Sequence, residues 1–127
     1  MTVPQDREYT PEHEWVLRQG DAVTVGITDF AAGKLGDVVY VDLPPVGSIA
    51  TAGTIIGEIE STKSVGELYA PVDGTVSEVN GAVDAQPQLV NGDPYGQGWL
   101  VRITIDGAAG EGPELLTPEQ YAALAAG

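Results

Sequence analysis

Cysteine is absent from this 127-residue chain, so disulfides, thiolate nucleophiles and Cys-ligated metals are excluded. One histidine, His13, leaves too little imidazole for a His-based metal site or a catalytic triad. It precedes Glu14, yet without a second histidine the H-E-x-x-H zinc signature cannot form, and His13 reads as a structural or surface residue. Positive charge is scarce: Lys plus Arg number 5 against 19 Asp plus Glu, for a net charge of −14 and a pI near 4.1. Such a surface repels phosphate backbones and anionic lipid. It suits steering towards positively charged partners. No apolar run approaches the ~18 residues of a membrane span. The stretch Met1–Glu8 carries neither an apolar signal core nor an Arg/Ser-rich amphipathic pattern, so a soluble, cytoplasmic protein is expected.

What the chain does have is 43% apolar residues, enough for a single modest core in one domain over 1–127. Period-two alternation dominates. Val23, Val25 and Ile27 alternate with Thr24 and Gly26, and Trp99, Val101, Ile103 and Ile105 repeat the pattern near the other end. Further strand-like runs span Trp15–Arg18, Val38–Leu43, Thr54–Ser61, Val65–Tyr69 and Thr75–Val79. Turn chemistry separates nearly all of them, as at Gly20-Asp21, Pro44-Pro45, Gly53, Asp73-Gly74 and Asn80-Gly81. Many short strands divided by Gly/Pro turns predict a mainly β fold, a sandwich or flattened barrel. Two helices are expected. Thr28 caps a short one near 29–35 that stops at Gly36. Thr117-Pro118-Glu119-Gln120 has capping-box spacing and opens a C-terminal helix over about 117–126. Gly107–Pro113 reads as the connector to it. Asn91–Gly98 reads as an irregular turn without a phosphate-loop signature. The segments Gly36–Val41 and Gly74–Val79 share G-x-V-x-x-V, and the segment joining them contains Lys63.

Lys63 is one of only two lysines, the other being Lys34. Two strand-like runs flank Ser61–Ser64, so a hairpin places Lys63 at its apex. By itself that position is most simply a solvated lysine. Around it, however, Glu60-Ser61-Thr62-Lys63-Ser64-Val65 and Ala70-Pro71-Val72-Asp73-Gly74-Thr75-Val76 resemble the lipoyl-attachment hairpin of biotinyl/lipoyl carrier domains. His13-Glu14-Trp15-Val16, Val25-Gly26-Ile27-Thr28-Asp29, Leu35-Gly36-Asp37-Val38-Val39 and Asn91–Leu100 then follow the order found in H proteins of the glycine cleavage system. The resemblance runs from about Tyr9 to Tyr121. Thr62, Ser64 and Glu67 stand where the commoner family form has Val, Ala and Asp. A biotin carrier would have Met on both sides of the lysine, and a 2-oxo acid dehydrogenase lipoyl domain would lack the His13-Glu14-Trp15 and Pro94-Tyr95 elements.

The resemblance implies a biotinyl/lipoyl (barrel-sandwich hybrid) fold with a lipoyl-binding core over about 21–106, and lipoate joined to Lys63 by an amide. It implies a carrier role and no catalysis: an aminomethyl group from glycine passes from a pyridoxal-phosphate decarboxylase (P protein) to a folate-dependent aminomethyltransferase (T protein). A dihydrolipoyl dehydrogenase (L protein) reoxidises the arm, and a lipoate-attaching enzyme installs it; because a carrier must expose its hairpin, the resemblance also implies a monomer. Glu14 matches an acidic position near the cleft where the loaded arm docks, and Glu67 is close to Lys63 in sequence. One of the two is expected to hold the arm's ammonium, unless both are plain surface charges. Competing readings are an H-like relay that donates lipoate to other carriers, an unmodified acidic interaction module, and a small hydrolase. No pair among the 19 acids has the distinctive spacing that a hydrolase requires.

Overall fold

The computed structural model describes residues 3–105 and 115–126. Two antiparallel sheets face one another as an open sandwich. The larger contains β1 (Glu8–Tyr9), β2 (Glu14–Gln19) and β3 (Ala22–Ile27). The smaller contains β4 (Val38–Asp42), β6 (Ile55–Ser61) and β7 (Val65–Tyr69), in the order β4-β6-β7. With β5 (Ile49–Ala50), β8 (Gly74–Val79) and β9 (Val101–Ile105), the larger sheet runs β1-β2-β3-β9-β8-β5. The expected mainly β architecture is therefore present.

β3 is buried on both faces, which alternation alone does not predict. Val23, Val25 and Ile27 face the main core with Val16, Ile59 and Leu68. On the opposite face Trp15 pairs with Gly26, and a Cβ on Gly26 would lie 2.6 Å from the indole. Only glycine lets that ring lie flat on the sheet. Trp15 joins Val3, Tyr9 and Tyr121 in a second cluster. Tyr121 comes from α4 (Pro118–Ala126), which covers this face, and it stacks on Tyr9 with centroids 4.8 Å apart. The predicted capping box forms: Gln120 N donates to Thr117 Oγ1 at 3.1 Å, and Thr117 N donates to Gln120 Oε1 at 2.9 Å.

The first helix, α1 (Asp29–Leu35), starts at Thr28, whose Oγ1 accepts from Ala31 N, and stops at Gly36, as expected. Two further helices depart from the sequence reading. Asn80-Gly81 is no simple turn: Asn80 caps α2 (Gly81–Ala85), its side chain accepting from Ala82 N. Asn91, expected in an irregular turn, lies within α3 (Leu89–Gly92). Gly81, Pro87 and Gly92 are breakers, and they conceal elements this short. The expected connector 107–113 lies outside the described residues. The echoing segments fall in different sheets, in β4 and β8, and the Lys63 hairpin lies between them in the chain.

Candidate functional site

Ser61–Ser64 forms the turn between β6 and β7, and Lys63 is exposed there. A single hydroxyl organises the bend. Ser61 Oγ accepts from Lys63 N at 3.2 Å and Ser64 N at 3.0 Å, and donates to Ser64 O at 3.1 Å. Ser61 N also donates to Ser64 O at 2.8 Å, which closes the hairpin. This is the local side-chain capping that makes serine a turn residue. Among the described residues no carboxylate pairs with Lys63: the three ion pairs are Arg7–Asp6, Arg18–Glu8 and Arg102–Glu78.

The hairpin's outer face is strongly acidic. Asp42, Glu58 and Glu67 stand opposite one another across all three strands, with Glu60 in the next row between Tyr40 and Val65. Like charges directly opposite are mutually unfavourable, and exposure to solvent is what makes the row tolerable. The hairpin's inner face carries Ile59 and Leu68 into the core, beside Val38 and Val41 of the neighbouring β4. Accessibility of the apex and rigidity of its root thus come from the same two strands.

Glu14 is a different kind of acid. It is 1% exposed, at the start of β2 on the face that carries Val16 into the core. Its Oε2 accepts from Tyr69 N at 2.6 Å, and its Oε1 accepts from Thr10 Oγ1 at 3.2 Å. The carboxyl therefore joins the larger sheet to the end of β7 in the smaller one. Burial pushes its pKa up to about 8, against the opposing pull of the Tyr69 and Thr10 hydrogen bonds, while Glu12 adds to the rise. A plain surface charge, one of the readings open from sequence, does not describe Glu14. Glu67 is exposed, and its Oε1 accepts from Tyr69 Oη at 3.3 Å. The two acids thus meet at Tyr69, one on its amide and one on its hydroxyl. Lys63 is further along the same hairpin and forms no ion pair with either.

His13 has the structural role expected of it. Its Nδ1 is 2.9 Å from Tyr121 Oη, and its ring lies 4.9 Å from Phe30. Burial holds its pKa below the usual range, with Lys34 adding to the depression. It adopts φ of 68°, an uncommon backbone state immediately before Glu14. Trp15 is buried and donates Nε1–H to Pro94 O at 2.9 Å, and Trp99 is half-buried. Sequence reasoning did not single out Tyr69 or Thr10. Tyr69 contributes chiefly through its backbone, and no residue pattern carries that signal.

The family model described as Glycine cleavage H-protein matches residues 7–126. A Glycine cleavage system H protein from Beutenbergia cavernae is 61% identical over 127 residues, covering 100% of this chain and 99% of that protein. One from Clavibacter sepedonicus is 57% identical over 124 residues, covering 98% of each. The crystal structure of a glycine cleavage system H protein from Mycobacterium marinum matches with a TM-score of 0.87 at 44% identity, covering 95% of this chain and 97% of that one.

Proposed function

The chain belongs to the glycine cleavage H-protein family, and from that premise we propose that Lys63 is the residue acylated by lipoate and carried between enzymes. The protein is a lipoyl-carrier component of the glycine cleavage system, not itself a catalyst. Among the described residues no helix is long and apolar enough to cross a membrane.

The observation that carries the assignment is the exposed lysine at the apex of a hairpin whose inner face is anchored in the core. The residues fit the group: the lysine stem passes over a glycine, and no carboxylate among the described residues competes for the amine. Once attached, lipoate supplies a disulfide–dithiol couple that the cysteine-free chain lacks. The chain contributes a fixed root and a high local concentration of the tethered group at a docked enzyme. Successive partners are a pyridoxal-phosphate glycine decarboxylase, a folate-dependent aminomethyltransferase and a dihydrolipoyl dehydrogenase, after a lipoate-attaching enzyme. The net charge of −14 favours steering towards basic docking faces.

Glu14 is the better of the two acids to receive the ammonium of the loaded group. Its carboxylate is withdrawn from water, so pairing there is worth more than at exposed Glu67. Two protein donors leave part of its acceptor capacity free. A cation held there would also lower the pKa that burial raises. Loaded Glu14→Ala protein should lose its aminomethyl group faster than wild type, and equal decay rates would dispose of this role.

Reconstitution with the decarboxylase tests the whole reading. Lipoylated wild type should support glycine decarboxylation, while unlipoylated chain and Lys63→Arg should give background rates. Wild-type turnover by Lys63→Arg would overturn the assignment.

A further inference from the structure

The segment Gly36–Val38 divides its backbone polar groups between two neighbours. On one side Asn91 reaches across from α3: its Nδ2 donates to Gly36 O at 2.9 Å, and its Oδ1 accepts from Val38 N at 2.9 Å. The same Nδ2 approaches Ala32 O at 3.4 Å in the last turn of α1. On the other side the carbonyl of Asp37 accepts from Thr62 N at 3.0 Å. One planar amide thus satisfies the carbonyl before Asp37 and the N–H after it, as a neighbouring strand would.

That segment is what the hairpin apex rests on. A Cβ on Gly36 would lie 3.0 Å from Lys63 Cε, and one on Gly66 would lie 3.0 Å from Leu35 Cδ2. Leu35 therefore packs beneath Gly66, Gly36 lies beneath the stem of Lys63, and Asp37 O holds Thr62 N. Gly36 has φ of 87°, a state that side chains of L-residues rarely adopt. Asn91 makes no hydrogen bond to Lys63 or the turn; its bonds go to Val38 N, Gly36 O and Ala32 O, and Asp37 between the first two meets Thr62.

We propose that Asn91 is a positioning residue for acylation of Lys63, clamping the Leu35-Gly36-Asp37 seat so that the lysine stem leaves the surface in one direction. The inference rests on the reading of Lys63 as the acylated residue and deepens it. An enzyme that joins a carboxyl to one amine needs that amine in near-attack geometry, and a displacement of about 1 Å costs as much as ~10²-fold. A turn that rocks on its support loses that geometry without losing its exposure. Asparagine is suited to the clamp because one side chain supplies both donor and acceptor. In Asn91→Asp a carboxylate would instead face the carbonyls of Gly36 and Ala32.

The test uses the full unmodified chain in three measurements. Enzymatic acylation by a lipoate ligase with lipoate and ATP is followed by intact mass. Acetylation of Lys63 by a small N-hydroxysuccinimide ester is followed by peptide mapping. Hydrogen exchange is read at Thr62 N–H. Asn91→Ala and Asn91→Asp should lose about tenfold in kcat/KM for the ligase at temperatures where they are fully folded, a tenth of the largest misplacement cost. Their Lys63 should react with the small ester at the wild-type rate, and Thr62 N–H should exchange faster. Gly33→Ala, on α1 where a Cβ meets nothing within 4 Å, should behave as wild type. If these Asn91 variants do not fold, Asn91→Ser, which keeps a small polar side chain but cannot reach both Gly36 O and Val38 N, should show the same ligase-specific loss. Wild-type ligase kinetics in folded variants, or an equal loss with the small ester, would overturn the inference while leaving Lys63 as the acylated residue. Failure of the ligase to modify Lys63 in the wild type would instead overturn the reading beneath it.

Discussion

Around Ser61–Ser64 the chain is held by backbone bonds and one serine hydroxyl, with Thr62, Lys63, Ser64 and Val65 exposed. Around Tyr121 it is held by stacked and buried rings: Tyr9, Trp15 and Tyr121 are each at most 1% exposed. Polar atoms there are paired as well, with Tyr121 Oη 2.8 Å from Thr28 Oγ1 and 2.9 Å from His13 Nδ1. The contrast separates two tasks. The apex buries almost nothing, so it can be modified and handled without a loss of stability. The aromatic face buries much, so it fixes the frame from which the apex projects. Glu14 belongs by burial to the second region and by its bond to Tyr69 to the hairpin.

Substitutions sharpen that contrast, and their effects on stability should descend in order. Trp15→Ala removes the indole that lies on Gly26 and should cost about 3–5 kcal/mol in denaturant unfolding; a loss below about 1 kcal/mol would erase the distinction between the regions. Glu14→Gln should change the pH dependence of stability. With the folded pKa raised to about 8 from 4.5, the folded state keeps a proton that the unfolded state has released. Wild-type stability should therefore be full below pH 4.5, fall as pH rises towards 8 and level off above it, by on the order of a few kcal/mol. The Gln variant should lack that decline and exceed wild type at pH 9; parallel profiles would contradict the burial argument. Thr117→Ala, which removes the capping hydroxyl of α4, should cost about 1 kcal/mol in the same unfolding measurement. Lys63→Arg should shift stability by no more than about 0.5 kcal/mol, and a larger change would mean that the apex carries structural weight.

Much of this architecture was legible in the residues. Val23, Val25 and Ile27 announced β3 by alternation, and the Thr28 and Gly36 bounds of α1 and the capping box at Thr117 followed from local chemistry. Such signals lie within a few residues of one another. What stayed hidden depends on distant partners. The burial of Gly26 is set by Trp15, and the seat beneath Lys63 by Asn91, 55 residues from Gly36. The lysine at the apex was readable because a hairpin is local. The environment of Glu14 was not, because its carboxyl bonds to a backbone amide in another sheet, 55 residues away.

The most direct test of the carrier reading compares the two lysines of one molecule. Unmodified wild-type chain is incubated with lipoate, ATP and a lipoate ligase, then digested and mapped by mass spectrometry. The account predicts one lipoyl group per chain, on Lys63, with Lys34 unmodified. Lipoate on Lys34, on both lysines alike or on neither would contradict it.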